Sequence, residues 1–154
     1  MIEFRGEMSE RCIGEIYRML NWKNPLNIQL EGIKLAQSIQ DLSLLIQPPA
    51  EASVWERCAD IICEKSDAVL EPYLDELLEW LQDLNWPGAL AICERLKTFS
   101  GDLLKNHVIS AVDKAEKMSN GEGTQWLVWL SELLDNNELK KELPEEVIEK
   151  LQKQ

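Results

Sequence analysis

Three observations predict that this chain folds as an all-α protein. Apolar residues recur at three- and four-residue spacing in most segments, as they do along one face of a helix. No segment of four or more residues alternates between apolar and polar side chains in the manner of a β-strand. The breaks between periodic segments are short and rich in Asn, Ser, Gly and Pro, the residues that begin and end helices. We expect about eight helices arranged in antiparallel pairs.

The length and charge of the chain limit its possible functions. Its 154 residues fit a single domain over residues 1–154. There are 28 acidic residues and 16 basic ones, a formal net charge of -12. Such a field repels nucleic acids and anionic membranes but attracts a basic protein. Because the sequence contains neither a signal peptide pattern nor a membrane-spanning apolar run, we expect a cytoplasmic protein.

The first 65 residues predict three helices and one short helical turn. The second helix follows Asn24, a suitable cap, and opens with Pro25, which fits the first turn because no backbone N–H is needed there. Gly32 costs this helix about 1 kcal/mol relative to Ala and therefore indicates a close helix crossing. The expected buried stripes are Met8, Cys12, Ile16 and Met19 or Leu20 in the first helix, and Leu26, Leu30, Ile33, Ala36 and Ile39 in the second. The four elements span residues 8–20, 25–39, 41–46 and 53–65.

The central stretch, residues 66–99, predicts a helical hairpin. One helix carries an apolar stripe, a corner follows at Asn85 and Trp86, and a second helix packs back against the first. Asn85 is the expected N-cap of the second helix, and Pro87 is expected in its first turn. The stripe of the first helix consists of Leu70, Leu74, Leu77, Leu78 and Leu81.

Three further helices are expected after residue 99. Ser100 is a suitable cap for a helix that runs to about residue 118, with His107 on its apolar stripe. Thr124 is the expected cap of the next helix, which ends near residue 134. The last helix is expected to begin near Pro144.

Repeated corners indicate how the helices are arranged. Leu20-Asn21-Trp22 and Leu84-Asn85-Trp86 each close one helix and open the next. Antiparallel helix pairs repeated at roughly 40 residues are typical of a right-handed α-solenoid of the HEAT or armadillo kind. The two corners do not fall at the same phase of that repeat, so an irregular helical bundle is the structural alternative.

The central residues also resemble a known group of sequences. The phrase ELLEWLQDLNWP at residues 76–87, with EGIKLA, DLSLLIQP and VWERCADIICEKSD upstream, is similar to a family of small bacterial proteins of unknown function built of HEAT-like helix pairs. The resemblance covers residues 21–99. It implies an α-helical binding scaffold, and some proteins of this kind resemble immunity proteins against bacterial polymorphic toxins. It supplies no catalytic residues.

The sequence offers little support for catalysis or metal binding. His107 is the single histidine, and Cys12, Cys58, Cys63 and Cys93 contain no CxxC pair, so no zinc site is predicted. No motif places a nucleophile beside His107. The glycine pair around Glu122 lacks the Gly-Lys-Ser/Thr ending of a phosphate-binding loop. We therefore expect neither an enzyme nor a cofactor.

Two surface features stand out. Acidic residues recur every four positions along the first central helix, and no Lys or Arg lies between Lys65 and Arg95 to offset them. We call this set the acidic ridge, and it consists of Asp67, Glu71, Asp75, Glu79 and Asp83. For the acidic ridge, a solvated helix face is the alternative to a docking surface. Among the six tryptophans, Trp80 and Trp129 sit off the centre of their helical stripes and are the candidates to line a concave binding surface. Packing in the core and at the corners is the alternative role of the tryptophans.

These observations lead to one main functional hypothesis. We expect a non-catalytic scaffold that binds another protein, a basic one, through its acidic and aromatic surface. The sharper form is an immunity protein that covers the active site of a basic toxin such as a nuclease. The alternatives are a structural adaptor with no toxin partner, and a small-molecule-binding or enzymatic domain with a pocket around His107 and Trp80.

Overall fold

The structure is a computed structural model that describes the backbone of residues 5–119 and 121–154, and the side chains from residue 13 onwards except residue 120. The described residues form α-helices joined by 3₁₀ turns and loops, with no β-strand among them, so the predicted all-α class is confirmed. Their buried apolar side chains form one continuous cluster that extends from Ile16 to Leu151. The predicted stripe positions Met8 and Cys12 lie outside the described side chains. No helix in the described part is both long and apolar enough to cross a membrane.

The first two helices pack against each other closely. Helix α1 spans Arg5–Leu20 and helix α2 spans Leu26–Ala36. A Cβ atom added at Gly32 would lie 2.9 Å from the Cβ of Met19, so the predicted close crossing is confirmed. Asn24 does not cap α2 as predicted, because its amide donates to the carbonyls at the end of α1. Pro25 does precede α2, as expected.

The predicted inner face of α2 is wrong at its first two positions, whereas Ile33 and Ile39 pack against the core and Ala36 is buried as expected. Leu26 and Leu30 were expected inside but are 61% and 54% exposed. The buried positions are Gln29, Gly32 and Ala36. Close approach at Gly32 turns that side of the helix towards α1, and Gln29 is fully hydrogen-bonded there. Because a satisfied buried amide costs little, this polar network and the close crossing outweigh the burial of two leucines.

Helix α3 connects the first hairpin to the central one. It follows 3₁₀ turns at Leu42–Leu45 and Ala52–Val54, spans Trp55–Cys63, and packs between α2 and the later helix α6 (Ala89–Leu96). Cys58, Ala59, Ile61 and Ile62 are its buried residues.

The predicted first helix of the central hairpin is not one regular helix. The chain passes through α4 (Asp67–Leu70), a 3₁₀ turn (Glu71–Tyr73), α5 (Leu74–Glu79) and a second 3₁₀ turn (Trp80–Gln82). Pro72 explains the interruption because it has no N–H to donate and its ring excludes regular α-helical bonding. The leucine stripe is nevertheless buried as predicted.

The corner of the hairpin also differs from the prediction. Asn85 was expected to cap the next helix, but its N–H donates to the side chain of Asp83 within the turn. Helix α6 begins only at Ala89, after Gly88, which has a left-handed φ of 84°. Pro87 lies in the turn that precedes the helix, where its carbonyl accepts a hydrogen bond from the indole of Trp80.

The last third contains four helices, of which three were predicted. Ser100 caps α7 as expected. Thr124 does not cap α8, which begins at Glu122 after the left-handed Gly121, and a 3₁₀ turn at Ser131–Asp135 follows it. Helix α9 was missed because its six residues are too few for a periodic pattern. These helices span Gly101–Lys117 (α7), Glu122–Leu130 (α8), Asn137–Glu142 (α9) and Glu145–Gln152 (α10).

Candidate functional site

Three members of the acidic ridge have side-chain partners from other helices. Asp67 contacts Arg95 of α6, Asp75 contacts His107 of α7, and Glu79 lies 4.0 Å from the amine of Lys114. The sequence could not show this, because each partner is about 30 residues away along the chain. The ridge is therefore less unbalanced than the local sequence suggested.

Asp67 has a structural role within the fold. One carboxylate oxygen accepts from the Arg95 guanidinium at 2.7 Å, and the other accepts from the backbone N–H of Ser100 at 2.9 Å. Arg95 also donates to the carbonyl of Lys65 and lies 5.3 Å above the ring of Phe99. Through these hydrogen bonds, Asp67 connects the start of α4 to the junction between α6 and α7.

Asp75 and Glu79 lie where α5 packs on α7. The distance between Nδ1 of His107 and Oδ1 of Asp75 is 2.7 Å. His107 is thus a hydrogen-bonded side chain at the contact between α5 and α7. The side chains of Asp75 and Glu79 remain about half exposed, so they stay accessible to a cation from outside.

The other two members differ from these. The side chain of Glu71 is exposed and has no ion pair or hydrogen bond among the described residues. Asp83 accepts from the N–H of Asn85 at 2.8 Å and so stabilises the corner. Asp67 and Asp83, at the two ends of the ridge, are therefore held by contacts within the fold. Glu71, Asp75 and Glu79 remain exposed and available as a surface.

Negative charge is concentrated at α5. The pKa of Glu76 is raised by partial burial and then by the charges of Glu79, Asp75 and Asp41. Asp41 is brought there because the hydroxyl of Tyr73 accepts from the N–H of Leu42 at 3.3 Å. We call these four carboxylates the α5 patch: Asp41, Asp75, Glu76 and Glu79. The sequence missed Asp41 because no local pattern links it to α5.

The two predicted aromatic residues are not equally accessible. Trp80 is 0% exposed, so the prediction that it lines the surface is wrong. Its indole N–H donates to the carbonyl of Pro87, and its ring packs edge-on against Trp55 at 6.3 Å between centroids. Trp129 is partly exposed, and its indole nitrogen is buried without a hydrogen-bond partner among the described residues.

The exposed tryptophans are those of the two repeated corners. Trp22 is 44% exposed and Trp86 is 36% exposed. Both corners pack near Trp55. The backbone N–H of Trp22 donates to the carbonyl of Ser53, two residues before Trp55, and the ring of Trp86 packs against the ring of Trp55. The repetition of Leu-Asn-Trp was the sequence signal that pointed to these two positions.

The three cysteines with described side chains, Cys58, Cys63 and Cys93, have thiols of low reactivity. Burial raises the pKa of Cys58 to about 12 and those of Cys63 and Cys93 to about 11. These thiols therefore stay protonated near neutral pH, and the thiolate is the reactive form. Among the described residues, no group of three or more His, Cys, Asp or Glu side chains is placed to hold a metal ion.

Fold and surface together define an all-α protein with a concentrated acidic patch on its central helices. The chain belongs to a family described as a domain of unknown function (DUF5071), whose model matches residues 56–154. The match extends through the last third of the chain, beyond the 21–99 region in which the sequence resemblance was recognised. No curated protein and no solved structure matches the chain.

Proposed function

We propose that this protein is a non-catalytic scaffold that binds a basic protein through the α5 patch. The convergence of Asp41 with the carboxylates of α5 is the observation that carries the proposal. The raised pKa of Glu76, caused first by partial burial and then by the neighbouring charges, agrees with it. Like charges held close together cost the isolated protein free energy. Lys and Arg side chains of a partner would relieve this repulsion, so the crowding favours binding over the free state.

The charge of the whole protein supports the same partner. A net charge of -12 attracts a cationic surface from a distance and raises the rate of encounter. The charge pairs at the contact then fix orientation and exclude partners of the wrong sign. An acidic patch on a strongly acidic protein is therefore suited to rapid capture of a basic protein.

The sharper form of the proposal is an immunity protein that acts in the bacterial cytoplasm against a basic toxin. A nuclease binds nucleic acid through Lys and Arg that neutralise phosphates. A dense row of carboxylates can occupy the same cations and so block the substrate. The antiparallel packing of α1 with α2 and of α7 with α8 supports a scaffold of the HEAT-like solenoid kind.

The test uses a triple charge reversal, Glu71→Lys/Glu76→Lys/Glu79→Lys, which changes two members of the α5 patch and Glu71, the exposed ridge residue in the turn before α5. Asp75 is left unchanged because it bonds His107 and its loss would disturb the packing of α5 on α7. The matched control, Glu31→Lys/Glu56→Lys/Glu132→Lys, makes the same change in net charge at exposed positions on three other elements. Circular dichroism first establishes that both variants are folded.

Captured proteins from the native cytoplasm are identified by mass spectrometry, and the affinity of the purified partner is then measured for all three proteins. We expect the wild type and the control to bind one basic protein, and the α5 variant to lose most of that affinity. Equal binding by all three proteins, or a captured partner that is acidic, would reject the α5 patch as the docking surface. A basic partner with no toxic activity would make this protein an adaptor.

A further inference from the structure

A cleft lies between α7 and α10. Its volume is about 310 Å³, at the lower end of the range for ligand pockets, so it suits a side chain or a small molecule. The apolar part of its lining comes from Ile109, Val112 and Val147. Asn106 and Ser110 contribute an amide and a hydroxyl.

The charged rim of the cleft has an excess of carboxylates. Lys150 lines the cleft and bonds Glu116 at 3.0 Å across the two helices. The pKa of Lys150 is raised by that bond and by the charges of Glu116, Glu146 and Asp113. Of these three carboxylates, Glu116 contacts Lys150 directly, and Glu146 has no ion pair among the described residues. Lys117 also pairs with Asp113, but their side chains are 76% and 62% exposed, so water screens this pair.

The lining suits a cation with an apolar stem. The oxygens of Asp113 and Glu146 accept hydrogen bonds, and so do the side-chain oxygens of Asn106 and Ser110. A planar guanidinium presents five N–H donors and is more weakly hydrated than an ammonium group. Its aliphatic stem can lie against Ile109 and the other apolar residues.

We propose that this cleft binds the side chain of an arginine presented by the basic partner. The inference rests on the proposed function and adds to it a second contact, formed by α7 and α10. Arginine is favoured over lysine because the acceptors come from two helices and a planar fork reaches several of them at once.

The test uses Nα-acetyl-arginine amide as the probe and nuclear magnetic resonance of the backbone amides as the measurement. Nα-acetyl-citrulline amide is the control, since it has nearly the same shape and no charge. We expect saturable shifts at residues 106–113 and 146–150 with the arginine probe only. Glu146→Gln should raise the dissociation constant of the arginine probe about three- to tenfold, because one charge-assisted contact is lost. Glu149→Gln, an equal charge change at an exposed position of the same helix, should leave it unchanged.

The cleft assignment is rejected if the shifts do not saturate, if citrulline produces the same shifts, or if the two variants weaken binding equally. Each of these outcomes leaves the α5 patch untouched, because the probe needs no partner protein. If the cleft binds arginine but the α5 variant still captures the partner, the α5 proposal fails and the cleft assignment stands.

Discussion

Asn136 shows how much of this fold depends on one buried polar side chain. It is 3% exposed. Its amide nitrogen donates to the carbonyls of Leu96 and Phe99, each at 2.9 Å, and its oxygen accepts from the N–H of Leu139 at 3.0 Å. One side chain therefore satisfies the end of α6 and the start of α9, two segments about 40 residues apart.

We expect Asn136→Ala to lower the free energy of unfolding by about 2–4 kcal/mol, because two buried carbonyls and one N–H lose their partner. Urea denaturation followed by circular dichroism measures the change. The control is Asn137→Ala at the exposed neighbour, which should change stability by less than about 0.5 kcal/mol. Equal effects of the two substitutions would mean that Asn136 does not couple the two helices.

At the scale of the elements, two glycines begin helices in the same conformation but in different surroundings. Gly88 precedes α6 with φ of 84°, and Gly121 precedes α8 with φ of 80°. A Cβ at Gly88 would lie 2.8 Å from both the Cβ of Ala59 and the ring of Trp80. A Cβ at Gly121 would meet nothing within 4 Å. Comparing the two positions therefore separates the free-energy cost of backbone strain from the cost of close packing.

We expect Gly121→Ala to cost about 1 kcal/mol, the strain of a left-handed alanine, and Gly88→Ala to cost about 1–3 kcal/mol more. The extra cost arises because α3, α6 and the Trp80 turn must move apart to admit the methyl group. Denaturation midpoints of the two variants give the difference directly. Similar losses at both positions would show that packing at the Gly88 corner is not tight.

At the scale of the whole molecule, acidic residues exceed basic ones although many of them are paired. The ion pairs in the described part include links between α5 and α7 and between α7 and α10, but the formal net charge is -12. The remaining repulsion acts over many ångströms and is screened by salt with a Debye length of about 10 Å at 0.1 M. Exposed pairs are weak, so the repulsion dominates the response to salt.

We expect the thermal midpoint to rise by a few degrees between about 10 mM and about 300 mM NaCl, because salt screens self-repulsion. The Glu71→Lys/Glu76→Lys/Glu79→Lys variant adds six charges to -12 and reaches -6, so its rise should be smaller. Scanning calorimetry at several salt concentrations tests this. A midpoint that falls with added salt would show that attractive ion pairs outweigh the net charge.

The sequence by itself determined the all-α class and the position of most helices. Three-to-four residue periodicity, the Ser100 cap and the leucine stripe of residues 70–81 act over one or two turns, and the structure confirms each of them. Gly32 also indicated its close crossing correctly. These features are readable because the interactions that produce them involve residues near one another in the chain.

The tertiary structure alone decided which faces are covered and which charges have partners. It turned Leu26 and Leu30 outward, placed Trp80 in the core, and brought Arg95, His107 and Lys114 to the acidic ridge. It also brought Asp41 to α5, where it contributes to the raised pKa of Glu76. The ion pairs and the approach of Asp41 depend on contacts between segments about 30 residues apart, and the orientation of α2 and the burial of Trp80 depend on packing against other elements. A helical period shows that a face is apolar, but the competition among all such faces for burial decides which one is covered.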